Sequence, residues 1–375
     1  MASEKFKVLF IMHLPPPIHG AAMVGNFIKT SSLINQEIEA LYINLATNTK
    51  LEQSGRAGFK KLLTFFSILA NIFTILAKKR FDLCYISLTA SGAGFYKDVL
   101  IVALLKISGV RIIYHFHNKG IADASKIWLN RVLYRFVFQN TRSILLSRFL
   151  YPEIQPYVKE CDVFYCPNGI PDMEIFTDKI EVKSDSGKPC TFLFLSNMIE
   201  QKGVYILLEA LKELKLRNLN FCCNFVGGWS DITEVKFNRR VEESGLSGYV
   251  YAHGPIYGKD KAKFWNQADV FVFPTFYFYE AFPLVNLEAM QHSLPIVSTP
   301  EGGIRDIVLD AETGFLVPQK DSQALADKLA ILLLNPDLRK QMGIKGRQRF
   351  EIFFTLQQFE VRIVSILNDA AGMDN

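Results

Sequence analysis

FVFPTFYFYEAFPLVNLEAM, residues 271–290, reads as a strand ending at Pro274, an aromatic loop, the tetrapeptide Glu280-Ala281-Phe282-Pro283, and a helix carrying Glu288. Pro283 sits well at or near the first helical turn, where its missing N–H costs nothing. The backbone N–H groups of Phe282, Leu284 and Val285 then point outward from a helix N-terminus, which favours a diphosphate through both hydrogen bonds and the helix dipole. Glu280 stands just before that terminus and Glu288 about two turns along, roughly 12 Å away at helical rise. At that separation one carboxylate can meet a sugar and the other a ribose, with a diphosphate between them. A lone glutamate is ordinarily solvated surface charge. Two of them bracketing a phosphate-ready helix start are read as a binding site.

Upstream, FLFLSNMIEQKGVYIL (residues 192–207) gives a strand, a polar loop through Asn197, and Lys202-Gly203 at a helix start. A lysine there can place its ammonium on phosphate oxygens. The dipeptide is weak alone and gains weight from the glutamate pair. Around these two units the same alternation recurs: strands over 221–226, 249–252, 295–298 and 314–317, and helices over 204–216, 284–292, 322–334, 338–349 and 355–369. The first half repeats it, with strands over 8–12, 40–44, 82–87, 110–116 and 163–166. Strands alternating with helix-length apolar segments predict βαβ units and parallel sheets. The 375 residues suffice for two such domains. The polar, aperiodic stretch 177–188 is the expected linker. The organisation predicted is therefore α/β: an N-terminal Rossmann-like domain over 1–176, a C-terminal one over 189–351, and a last helix closing the chain. Ligands of such sheets sit outside the carboxyl ends of the strands.

Composition narrows the class. Hydrophobic residues at 49% and charged ones at 21% exclude a disordered or fibrous chain. The six cysteines form no C-x-x-C pair and no metal-ligand rhythm with histidine, so buried thiols in a reducing compartment are expected. A net charge of +5 is too mild to point to nucleic acid. Residues 1–175 hold 20 Lys and Arg against 12 Asp and Glu, a net of +8, which leaves −3 for the remainder. A basic first half suits an anionic surface such as a membrane, or simply a solvated face. No signal peptide is expected, because the first seven residues are polar and the next apolar run is strand-length. Residues 62–77, LLTFFSILANIFTILA, are flanked by lysines but short of the roughly 20 residues that cross a bilayer. They are read as a buried core helix, with a helix lying in the membrane interface as the second reading.

In the first half, His19-Gly20-Ala21-Ala22 follows the first strand, and its small residues permit close backbone approach. No G-x-G-x-x-G or Walker A loop occurs. The strand over 111–116 runs into His115 and His117, two apart and pointing the same way. With no third ligand at suitable spacing, zinc is not expected. His117, facing a cleft, suits hydrogen bonding to a sugar hydroxyl, while His115 is read as a satisfied core histidine. The absence of any Asp-x-Asp leaves cations and helix dipoles, rather than a carboxylate-held Mg²⁺, to meet a diphosphate.

Glu280–Glu288, an E-x7-E, resembles the signature of the family-4 (group 1) retaining glycosyltransferases of the GT-B fold. Supporting matches run in order along nearly the whole chain: His19-Gly20, His117, Pro167-Asn168-Gly169-Ile170, Lys202-Gly203, Val226-Gly227-Gly228, Ala268-Asp269-Val270, Gly302-Gly303-Ile304 and Thr313-Gly314-Phe315. The resemblance implies transfer of a sugar from a nucleotide-sugar donor to a glycan or lipid-linked acceptor, with retention and without a metal or other cofactor. It implies Glu280 on the donor sugar, Glu288 on the ribose, Ala281 to Leu284 on sugar and phosphate, and Lys202 on the diphosphate. It also implies Gly20 and Ala21 at the phosphates, His117 at the reacting sugar, base contacts near Gly254-Pro255-Ile256, and a last helix, about 352–375, packing back on the first domain. Asn197 stands where the family usually carries an arginine. The diphosphate would then rest on Lys202 and the helix dipole, with Arg305 as a further cation. The location implied is cytoplasmic, with peripheral contact at the inner face of the cell membrane as an open option. Two alternatives stay open: a nucleotide-sugar epimerase on the same fold, and a nucleotide-sugar-binding protein with weak catalysis.

Overall fold

The computed structural model describes residues 5–16, 19–46, 59–172, 188–256 and 258–372. The chain divides into two compact units, one of Met1–Gly169 with Leu356–Asn375, the other of Ile170–Thr355. The expected linker lies, up to residue 187, outside the described residues.

The first unit runs β1 (Lys7–Met12), α1 (Gly20–Thr30), α2 (Ser32–Glu37), β2 (Glu39–Asn44), α3 (Phe59–Lys78) and β3 (Leu83–Ile86). It continues through α4 (Gly92–Ser108), β4 (Arg111–His115), α5 (Ile121–Ala124), α6 (Trp128–Phe138), β5 (Arg142–Leu145) and β6 (Val163–Tyr165). Its six strands are all parallel in the order β2-β1-β3-β4-β5-β6. The inner strands β1, β3 and β4 are apolar runs buried on both faces, as a parallel sheet requires, while the edge strand β2 is largely half-buried. The step from β1 to β2 runs one way along the sheet and the later steps run the other. Right-handed crossovers therefore put α1 and α2 on one face and α3, α4 and α6 on the opposite one.

The second unit runs β7 (Cys190–Leu195), α7 (Val204–Leu216), β8 (Phe221–Val226), α8 (Glu234–Glu243), β9 (Val250–Ala252), α9 (Lys259–Gln267) and β10 (Val270–Phe273). Then come α10 (Leu284–Gln291), β11 (Ile296–Ser298), α11 (Ile304–Ile307), β12 (Gly314–Leu316), α12 (Ser322–Leu334) and α13 (Pro336–Phe353). Its parallel order, β12-β11-β10-β7-β8-β9, reverses direction between β10 and β7. Ile170 to Asp172 belong to this unit because they are tied to it. Ile170 N donates to Phe354 O at 3.0 Å, Gln291 Nε2 to Pro171 O at 2.7 Å, and Arg347 grips the Asp172 carboxylate with two bonds of 2.8 Å.

The last helix, α14 (Leu356–Ala371), belongs to the first unit. Phe359, Ile363, Ile366 and Leu367 recur at helical spacing and pack with Val8, Phe10 and Met12 of β1, Ile28 of α1 and Ile34 of α2. Helix α14 thereby closes the α1–α2 face of the sheet.

The reading of residues 62–77 as a core helix is corrected. Helix α3 is four residues longer than the apolar stretch, and among Lys61–Lys78 only 11% of the residues are buried. Phe65 and Ile72 point inward, while Leu62, Leu63, Phe66 and Phe73 are each half or more exposed. Helices α8 and α9 were not expected, because both are dominated by charged residues and bury few side chains; Phe237 and Val241 anchor α8.

Candidate donor site

The reversal between β7 and β10 is the topological switch point of the second sheet, where the chains leaving the two strands part and open a crevice. Lys202 follows β7 and Glu280 follows β10. Their side chains meet there: Lys202 Nζ donates to Glu280 Oε2, and both are largely buried, at 14% and 12% exposure. The ammonium also lies 4.3 Å from the centroid of the Tyr277 ring and 5.5 Å from that of Phe273. An aromatic face attracts a cation most where water is excluded, so Tyr277 helps hold Lys202 in place beside its carboxylate.

Both loops are pinned by backbone contacts. Phe276 N donates to Gln201 O at 2.8 Å, joining the two loops directly. Ser298 Oγ donates to Phe273 O at 2.6 Å, and Gly303 N to Ala281 O at 2.7 Å. Two glycines permit the approach. Gly203 adopts φ +89°, and a Cβ there would lie 2.2 Å from Pro274 O; Gly302 adopts φ +52°, and its Cβ would lie 2.3 Å from Glu280 O. Neither position tolerates a side chain without moving a loop that carries a site residue.

Helix α10 starts at Leu284, with Pro283 as its cap (φ −70°, ψ 119°). This agrees with the sequence expectation of Pro283 at or near the first turn and a helix from residue 284, and Leu284 and Val285 supply first-turn N–H groups that lack intrahelical acceptors. Glu288 lies one turn on and pairs with Lys261 of α9, each 23% exposed. Asn197, in the loop after β7, is exposed, and Pro255, in the loop after β9, is exposed as well. Gly227 N donates to Gly254 O at 2.9 Å, so the loops after β8 and β9 are tied together. Lys202, Asn197, Pro255, Glu280 and the α10 start thus all come from loops at the carboxyl edge of one sheet. Arg305 lies on α11, two residues beyond the Gly303 that bonds Ala281.

The first unit gathers histidines. His19 caps α1, its Nδ1 accepting from Ala22 N at 3.3 Å, and its ring lies 5.7 Å from His13. Gly20 opens α1 with nothing near its Cβ direction, and Ala21 follows it. His117 packs 4.2 Å from His115, which bonds the Tyr85 hydroxyl through Nδ1 at 2.6 Å. The Nδ1 of His117 and the Nε2 of His115 are buried without a hydrogen-bond partner. Burial, reinforced by His19 and Lys97, lowers His13 to about 4. Burial, reinforced by His13 and His19, lowers His117 to about 3, and His115 is held well below the usual range by burial and His117. All three are neutral at pH 7.

This has a consequence for stability. An unfolded histidine titrates near 6.5, so below that pH the unfolded chain binds three protons that the fold refuses. Asp98 works in the opposite direction: burial lifts it to about 6 against hydrogen bonds from Thr89, so the fold takes up that proton first. Stability of the first unit is expected to fall as pH drops from about 6.5 to about 4, with a net slope near two protons. His117→Gln should reduce that slope by about one proton, or about 1.4 kcal/mol per pH unit. Denaturant melts across this pH range check it, and equal slopes for the two proteins would contradict it.

Sequence reasoning passed over Lys261 and Tyr277. Nothing in the K-D-K-A-K run around Lys261 marks its pairing with Glu288. Tyr277 was legible only as one aromatic among four. Among the described residues, no cluster of three or more His, Cys, Asp or Glu side chains is arranged to hold a metal ion.

Residues 176–349 match the family described as glycosyl transferases group 1. A capsular polysaccharide biosynthesis glycosyltransferase, CapM, of Staphylococcus aureus is 28% identical over 178 residues, covering 47% of this chain and 45% of that protein. The chain thus spans about half the length of the curated relatives it matches. Among solved structures, the apo lipopolysaccharide outer core galactosyltransferase WaaB superposes with a TM-score of 0.75 at 16% identity, over 98% of this chain and 99% of that one. Alr3699/HepE of Anabaena in complex with UDP-glucose gives 0.72 at 18% identity, over 97% and 99%. At these identities the likeness is one of fold, and the fold is GT-B: two Rossmann-like units, each a six-stranded parallel sheet covered by helices.

Proposed function

We propose that the chain, whose residues 176–349 match the group 1 glycosyltransferases, moves a sugar, with retention, from a nucleotide-sugar donor to a glycan or lipid-linked acceptor in cell-surface polysaccharide or glycolipid biosynthesis. The observation that carries the reading is the buried Lys202–Glu280 pair at the switch point of the second sheet, beside the start of α10. A diphosphate brings more negative charge than one carboxylate, so it draws the Lys202 ammonium toward its oxygens. Glu280, released from the lysine, accepts hydrogen bonds from the hydroxyls of the donor sugar. As the anomeric bond loosens, charge grows on the departing diphosphate, where Lys202 and the first N–H groups of α10 stabilise it. These groups serve without a metal. Glu288, steadied by Lys261, meets the ribose. Asn197 contributes dipole in place of charge, and the loop around Pro255 meets the base. That CapM is named for capsular polysaccharide biosynthesis, and that HepE was solved with UDP-glucose, supports this direction.

The test is transfer itself, with UDP-, GDP- and ADP-sugars offered together with lipid-linked and glycan acceptors. The expected product keeps the donor's anomeric configuration by NMR and forms equally well in EDTA. An epimerised nucleotide sugar made without acceptor would support the epimerase alternative, and donor binding with no turnover would support a binding protein. In this reading Glu288→Ala raises the donor KM about 10–100-fold while kcat falls much less, because a ribose contact is made equally in the ground and transition states. Steady-state kinetics separate the two; a change confined to kcat would remove Glu288 from the ribose.

A further inference from the structure

We infer that Phe278 and Tyr279, in the turn that leads into Glu280, form a stacking platform for a pyranose ring of the acceptor. The inference rests on the sugar-transfer reading and deepens it, by naming how the acceptor is recognised. Glu280 N donates to Tyr277 O at 2.9 Å, which closes a tight turn with Phe278 and Tyr279 at its two corners. Glycine, proline, asparagine and aspartate usually fill such corners, because they preset the backbone or bond to it. Here two large rings fill them, 40% and 45% exposed. Burial stabilises a fold in proportion to the apolar area removed from water. Rings left this far outside therefore do little for the fold, and turn chemistry does not call for them.

The turn is held still from within the loop. Tyr277, half-buried against Lys202, donates its N–H to Thr275 Oγ1 at 3.2 Å, and Thr299 Oγ1 donates to Thr275 O. Lys320, a non-glycine residue at φ +61°, sets its ammonium 4.8 Å from the centroid of Phe276. The Tyr279 ring meets Phe278 edge-on at 5.3 Å and Tyr277 at 5.6 Å. Rigid aromatic side chains offer wide contact at low conformational cost.

Position and charge select the occupant. Tyr279 adjoins Glu280, which the transfer reading sets on the donor sugar. An acceptor hydroxyl must come within about 3–3.5 Å of the anomeric carbon to react, so the ring that carries it lies beside this loop. Residues 274–279 hold no charged side chain, which suits a neutral sugar rather than a phosphate. A pyranose packs its C–H face on an aromatic ring, and the Tyr279 hydroxyl can bond to the hydroxyls at its rim.

Saturation-transfer NMR on the full chain tests this, with UDP, GDP or ADP present and the methyl glycosides of glucose, galactose, mannose and N-acetylglucosamine as probes. At least one glycoside is expected to receive saturation, strongest at the protons of one ring face. Phe278→Ser/Tyr279→Ser should weaken that binding at least about tenfold, and Phe278→Tyr/Tyr279→Phe should largely keep it. Nucleotide affinity should match the wild type in both variants, which together with unchanged melting shows the Glu280 loop intact. A serine variant that loses nucleotide affinity without losing stability would put the rings on the donor and overturn the inference. Equal glycoside binding by the serine variant and the wild type, or no glycoside binding to a chain that binds a nucleotide, would overturn it too. A chain that binds none of the three nucleotides fails earlier, at the transfer reading, and the inference falls with it.

Discussion

Lys202→Ala is expected to lower kcat about 10²–10³-fold, the equivalent of about 3–4 kcal/mol, the usual consequence of removing one preorganised group from a developing charge. Its ammonium is buried against Glu280 at the switch point of the second sheet, with the Tyr277 ring 4.3 Å away. The loss should fall mainly on kcat, because charge on the diphosphate grows as the sugar leaves. Lys202→Arg keeps the charge, yet a planar guanidinium needs a different cradle from a compact ammonium. It should therefore recover only part of the rate. Steady-state kinetics on the donor that the wild-type chain uses give the answer. A Lys202→Ala protein with wild-type kcat would remove the lysine from the reaction.

Gly203→Val is expected to cost the second unit at least about 3 kcal/mol, combining a strained backbone with a collision that packing cannot relieve. The φ of +89° disfavours any side chain, and the new Cβ would press on Pro274 O, which belongs to the loop leading to Glu280. The effect should appear twice, as a lower unfolding midpoint and as weakened nucleotide binding in whatever protein remains folded. Gly20→Ala is the contrast, since nothing lies within 4 Å of its Cβ direction; stability there should stay within about 0.5 kcal/mol. Fluorescence of Trp229 and Trp265, both in the second unit, follows the unfolding. If Gly203→Val melted like the wild type, the close approach of the two loops would not exist in solution.

The βα alternation was readable because both sheets are parallel and buried on both faces, which leaves short continuous apolar runs between turn signals. Glu280, Glu288 and Lys202 were readable for a different reason. Each stands at a fixed step from a strand end or a helix start, and the backbone itself supplies half of the site. Lys261 and Tyr277 were not, because they reach their partners through tertiary packing: α9 is a polar helix with no pattern of its own, and the aromatic loop shows no spacing that singles out one ring. Helix α3 misled the reading. A stretch apolar on nearly every side carries no periodic mark telling a buried helix from one half exposed at the margin of a sheet.

If the Lys202–Glu280 pair receives the diphosphate of a nucleotide sugar, isothermal titration of UDP, GDP and ADP into the full chain and into Lys202→Ala will show it. One nucleotide should bind the wild-type chain at a single site, and at least about tenfold more weakly once the ammonium is gone. Equal affinity for that nucleotide in both proteins, or no binding of any of the three to the wild type, would contradict it.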